Sequence, residues 1–155
     1  MWLSLNFLSE VLFAVSNGAS SKNRAETYSF ETGKWTAVLD YPFSSYVSYA
    51  PIIHIRNSFY VIGGNTAVDS QSKTIARFSM VTQRWSQAGS LNNGRHGHGA
   101  IEQGNSFLVV GGWGTYPTEK CTVKANGEVQ CENLRPDLFN YRYYPELFFV
   151  SYDFC

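Results

Sequence analysis

Asn57-Ser58-Phe59-Tyr60-Val61-Ile62-Gly63-Gly64 returns 48 residues later as Asn105-Ser106-Phe107-Leu108-Val109-Val110-Gly111-Gly112. Two tryptophans keep nearly the same interval. Trp35 and Trp85 lie 50 residues apart, and each follows an aromatic residue, Tyr28 or Phe78, by seven positions. A chain that repeats at this spacing is built from copies of one supersecondary unit, each of which buries its apolar face against its neighbours.

A period near ~50 residues with glycine and aromatic landmarks is that of propeller blades. Each unit parses into four short strands. In the second unit these are Tyr49 to Ile55, Phe59 to Ile62, Ala76 to Met80 and Arg84 to Gln87. Short β-rich runs between turn residues would also suit a sandwich or a barrel; the fixed repeat selects the propeller. The first unit enters mid-blade, with strands at Phe13 to Val15, Glu26 to Phe30 and Lys34 to Ala37. Glu31-Thr32-Gly33 forms its last hairpin turn, where Val81-Thr82-Gln83 stands in the second unit. The chain divides into an N-terminal segment (1–10), a partial first blade (11–46), a second (47–90), a third (91–134) and the start of a fourth (135–155), where Tyr144 to Val150 aligns with Tyr49 to Ile55. The continuous apolar run of the second strand suits a sheet covered on both faces. The glycine pairs after it let a neighbouring backbone come close. Trp35 and Trp85 are placed to close the gap between adjacent blades, each worth roughly 3 kcal/mol when buried.

As a set, these landmarks resemble the kelch repeat: the apolar runs before Gly63-Gly64 and Gly111-Gly112, the Tyr28/Trp35 and Phe78/Trp85 spacings, and Leu91 with Arg95 ahead of a first strand. The likeness covers most of Val11 to Val150, with departures at Asn17-Gly18, where the first unit lacks the glycine pair, and at Cys131, near the tryptophan position of the third. It implies an all-β fold of four-stranded antiparallel blades and no particular activity. Propellers close with typically ~4–8 blades. The chain supplies about three, so an incomplete ring is expected, with further blades from a longer chain or a second copy.

Composition narrows the partners. Lysine plus arginine equals aspartate plus glutamate at 12 each, and no basic stripe appears, which argues against nucleic acid. No run approaches the ~18 apolar residues of a membrane span. The chain holds 4 Trp, 10 Tyr and 11 Phe, many of them after residue 138, so the tail is not disordered by composition. The stretch before Ala19 has the outline of a leader, but no Lys or Arg precedes it and Glu10 interrupts it. The repeat pattern running through Val11 to Val15 favours a strand there.

Chemistry-bearing residues are few. Centring a hairpin on Ala125-Asn126-Gly127 places Cys121 opposite Cys131, which predicts a disulfide and with it an oxidising, extracellular or secretory compartment. Two packed thiols in a cytosolic protein are the alternative. Cys155 is left over. His96 and His98 alternate and would share a strand face, but no third ligand stands near them, and no metal or cofactor is expected. No nucleophile–base grouping, phosphate loop or redox CxxC pair occurs.

In an up-and-down blade the 2–3 and 4–1 connections leave from one end. Here they are the long ones, and long loops on a rigid scaffold are where binding residues gather. They carry Tyr41, Phe43, Tyr46, Arg95, His96, Trp113 and Tyr116. Aromatic residues and arginine are the usual anchors of protein interfaces. The expected role is a non-catalytic scaffold that holds a protein partner on this face. The alternatives are a secreted or cell-surface adhesion protein, favoured by the cysteines, or the propeller part of a copper-radical oxidase-like or glycosidase-like enzyme, which would need ligands or carboxylates converging at the axis.

Overall fold

The structure, a computed structural model, describes residues 11–18, 21–38, 43, 47–114, 117–135 and 142–149. Among them it is all-β, with no helix, and its antiparallel sheets do not close into a barrel. The first sheet has three strands: β1 (Val11–Gly18), β2 (Ser21–Ser29) and β3 (Lys34–Ala37). A short ladder joins β4 (Val47–Ser48) to β7 (Asn65–Thr66). The second sheet contains β5 (Ile52–Ile55), β6 (Ser58–Ile62), β8 (Thr74–Ser79) and β9 (Arg84–Ser90). The third contains β10 (His98–Gln103), β11 (Ser106–Gly111), β12 (Glu119–Val123) and β13 (Val129–Asn133). Within each of the three larger sheets, the strands lie in the order in which they occur in the chain.

The strand expected over Tyr49 to Ile55 begins only at Ile52. Tyr49 takes the left-handed conformation at φ 57°, which no strand accommodates. Pro51 then contributes no N–H, and pairing resumes at Ile52. Residues 142–149, expected to open another unit with a strand aligned on Tyr49 to Ile55, join no ladder. Pro145 and Leu147 lie against the backbone of Gly99 instead.

Alternation along the strands decides what each face buries. Tyr60 and Ile62 of β6 and Ile75 of β8 point toward the third sheet and meet Phe107, Val109, Cys121 and Val129 in the main core. Phe59 of β6 and Phe78 of β8 point the other way, toward Phe13 and Ala25 of the first sheet. The second sheet is thus covered on both faces, which is why β6 reads as an unbroken apolar run. Trp85 sits at the junction of the first and second sheets, 6.1 Å from the Phe13 ring and 5.2 Å from that of Phe78. Trp35, its counterpart on the first sheet, rests on Tyr28 but stays 51% exposed. The fourth-strand tryptophan therefore bridges sheets at one junction and lies open at the other.

Candidate functional site

The site grows from one repeated turn. Tyr49, Gly97 and Tyr144 stand 48 and 47 residues apart, and all three are left-handed, at φ 57°, 63° and 52°. Gly97 N–H donates to the Tyr49 carbonyl at 2.8 Å, and Tyr144 N–H donates to the Gly97 carbonyl at 2.7 Å. The three turns are therefore strung together by backbone hydrogen bonds. The glycine pairs hold the same turns from behind. Gly64 N–H donates to the Arg95 carbonyl at 2.9 Å and Gly112 N–H to the Arg142 carbonyl at 2.7 Å. A Cβ at Gly63 would lie 2.8 Å from the Arg95 oxygen, and one at Gly111 would strike that of Arg142. Each pair lets the turn that follows its own unit lie directly on its backbone.

This stacking gathers five rings. His96 lies parallel to Trp113, centroids 6.2 Å apart and planes 11° apart. Tyr143 meets Trp113 edge-on at 5.4 Å and lies 4.1 Å from Tyr144, and Tyr49 sits 5.7 Å from Tyr144 and 6.2 Å from His96. Tyr49, Trp113 and Tyr144 are each more than half exposed. The Tyr143 ring lies where a side chain at Gly97 would have to go, so glycine there is what admits the ring to the group. The Tyr144 hydroxyl is pushed up to about 12, first by its hydrogen bond with Tyr143 and then by desolvation. The surface is flat-ringed and rich in hydroxyl groups, a combination suited to contact with apolar and amide groups of a protein.

Of the residues expected on this face, His96 and Trp113 are brought together. Arg95 belongs to the interior instead. It is fully buried, its Nη2 2.7 Å from Glu119 Oε1. It also donates to the carbonyls of Asn93 (3.3 Å), Gly111 (3.1 Å) and Pro117 (3.0 Å). Glu119 in turn accepts the backbone N–H groups of Asn92 (2.7 Å) and Asn93 (3.0 Å). A guanidinium so fully engaged ties the 4–1 and 2–3 connections of the third unit together. Phe43 is partly buried and packs against Val47, Val61 and Ala76. Tyr41, Tyr46 and Tyr116 lie outside the described residues, as does Cys155. Tyr49, Tyr143 and Tyr144 were missed as face residues. Their signal was the two-repeat spacing of Tyr49 and Tyr144, together with left-handed turns that sequence does not display.

His96 and His98 do not share a strand face, because Gly97 interrupts the extended chain between them. His96 stays with the rings while His98 turns inward, its Cε1 close to Gly63 and its Cβ close to Gly112. Burial, then the nearby Arg95 charge, lowers the His98 pKa to about 3. It is neutral at physiological pH and cannot serve there as a proton store. Cys121 and Cys131 face each other in the β12–β13 ladder and are bonded, with sulfurs 2.05 Å apart. Glu119 lies near both sulfurs, but disulfide sulfurs and an ion-paired carboxylate make no metal site. No protein-family model and no curated protein matches the chain.

Proposed function

We propose that this chain is a non-catalytic scaffold of kelch-like propeller blades whose ring-lined end holds a protein partner. The observation that carries the reading is the convergence of Tyr49, His96, Trp113, Tyr143 and Tyr144, drawn from three successive units onto one exposed surface. Rings of this kind give large contact area with few rotamers to freeze, which makes them favoured hot spots. Further blades, from a longer chain or another copy, would cover the surfaces of Leu12, Phe30 and Trp35 at one side and Phe148 and Phe149 at the other, all at least half exposed. Among the described residues no helix is long and apolar enough to cross a membrane. The Cys121–Cys131 bond favours an oxidising compartment, and so a secreted or cell-surface setting for the same binding role.

The test is affinity capture from secretory-pathway and cytosolic fractions with the wild type and a Tyr49→Ala/Trp113→Ala variant. Recovery of the wild type's partners should fall about tenfold or more in the variant, as expected when two central anchors are truncated, while its thermal transition persists. Undiminished capture by a folded variant would remove this face from the proposal.

A further inference from the structure

At the opposite end of the sheets, the short turns enclose a cleft of ≈ 340 Å³ between the second and third sheets. This lies at the lower end of the size range of small-molecule sites. Its polar lining includes Arg56, Ser58, Tyr60, Arg77, Thr82 and the loop at Gly127. Two cations thus share one concavity in a protein whose formal net charge is zero.

Both guanidiniums are held from behind. Arg77 donates through Nε to Ser58 Oγ at 2.9 Å and through Nη1 to the Asn126 carbonyl at 3.0 Å. Arg56 donates through Nε to Asn105 Oδ1 at 3.2 Å and through Nη1 to the Lys124 carbonyl at 3.1 Å. Among the described residues nothing accepts from either Nη2, and neither arginine forms an ion pair; the pairs present are Arg95–Glu119 and Lys124–Glu128. The Tyr60 hydroxyl donates to the Gly127 carbonyl at 3.4 Å, and burial raises its pKa further above the ordinary phenol value, so it adds no competing negative charge. A side chain at Gly127 would fall on the Arg77 guanidinium, so this glycine keeps the head group in place.

Arg56 is also left-handed, at φ 54°, where the third unit carries Gly104 at φ 62°. Placing a Cβ residue there costs about 1 kcal/mol. A strained arginine beside a second unpaired arginine, in a cleft, is the kind of outlier that points to a ligand.

We propose that this cleft binds a small dianion, a phosphate monoester or a dicarboxylate, between the guanidiniums of Arg56 and Arg77. The planar fork of arginine suits either oxyanion, and fixing Nε in advance reduces the ordering cost of binding. The site is independent of the ring-lined end.

The test is titration of the whole chain with inorganic phosphate and, separately, with malonate, at ionic strength held constant with sodium chloride, read by the Nε–Hε resonances of Arg56 and Arg77. At least one dianion should shift both resonances saturably, and the one with the lower Kd names the ligand class. Arg56→Gly copies Gly104 and relieves the backbone, so it should fold while weakening that dianion at least tenfold. Arg77→Lys should weaken it several-fold despite keeping the charge. Linear shifts with both dianions, equal shifts with chloride, or unchanged affinity in Arg56→Gly would each overturn the proposal. The last readout stands alone if Arg77→Lys fails to fold.

Discussion

The second and third sheets put opposite chemistry at matching positions. Val47, Val61 and Ala76 form an apolar cluster beside the second unit's turn. The residues at the same places in the third unit are Arg95, Val109 and Glu119, so an ion pair replaces two apolar side chains. One step along the same strands, the facing pair Phe78 and Trp85 is matched by Cys121 and Cys131. Behind the glycine pair, Ala50, whose Cβ lies near Gly64, gives way to His98, whose Cβ lies near Gly112 and whose imidazole reaches back to Gly63. The backbone hydrogen bonds of the turns, Gly97 to Tyr49 with Tyr144 to Gly97 and Gly64 to Arg95 with Gly112 to Arg142, match through all three exchanges, so the repeat specifies a chain path and leaves open how each contact is made.

The sharpest way to break the comparison is to remove half of the ion pair. Glu119→Leu should cost about 4–5 kcal/mol, because it strands a fully buried guanidinium. The double variant Arg95→Val/Glu119→Ala imports the second sheet's chemistry and should recover much of that loss, since a buried pair is often replaceable by apolar packing. Urea unfolding of Arg95→Val, Glu119→Ala and the double variant gives the coupling. A double variant no more stable than Glu119→Leu would mean that the carbonyls of Gly111 and Pro117 and the N–H groups of Asn92 and Asn93 depend on the charges.

The histidine exchange predicts a pH effect nearly as large. His98 has a folded pKa of about 3, against ~6.5 when unfolded. Between those values the unfolded chain binds more protons, so stability is complete above pH 6.5 and is lost as pH falls toward 3, by on the order of 4 kcal/mol. His98→Ala, which restores the alanine of the second unit, should remove that part of the acid slope. Equal slopes in the two proteins, measured by denaturant unfolding from pH 7 to 4, would show that His98 is protonated in the fold.

Much of this was legible in the chain. The all-β character followed from the duplicated octapeptides, and the facing of Cys121 and Cys131 from a hairpin centred on Asn126. The fate of Arg95 was hidden because Glu119 follows a loop unlike its counterpart in the second unit, so no spacing rule links them. The separation of His96 from His98 turns on one positive φ at Gly97, and glycine permits that conformation without announcing it. Tyr49 and Tyr144 were concealed for a related reason: tyrosine rarely adopts the left-handed conformation, and each heads a stretch that reads as a strand.

The cysteine exchange has an intermediate effect. Replacing both cysteines by alanine should cost about 3 kcal/mol by the loop-closure argument for a link of this length. Cys121→Phe/Cys131→Trp would install the aromatic pair of the second sheet. Cys121 is fully buried against the main core, where Phe78 faces the first sheet, so the larger rings should overpack and be less stable than the alanine pair. Thermal unfolding ranks the three proteins, and an aromatic variant more stable than the alanine one would show that the two junctions have equivalent room.

The smallest effect tests the premise beneath all of these, that matched turns are interchangeable. Gly33 and Gln83 occupy the same hairpin turn. Their N–H groups donate to the carbonyls of Ser29 and Ser79, both at 2.8 Å, and Thr32 and Thr82 donate to the hydroxyls of those serines, both at 3.3 Å. Both residues are left-handed, at φ 66° and 56°. Glutamine there costs ~1–2 kcal/mol of backbone strain, partly offset by its side-chain bond to the Met80 carbonyl at 3.1 Å and by the greater unfolded freedom of glycine. Gln83→Gly should therefore stabilise by about 0.5 kcal/mol. A Cβ at Gly33 would meet only the Tyr28 hydroxyl, at 3.9 Å, so Gly33→Gln adds no clash and should destabilise by about 1 kcal/mol. Opposite signs in urea unfolding of the two variants would show that backbone conformation governs both turns. The same sign would mean that one of the sheets reshapes its turn to suit the residue.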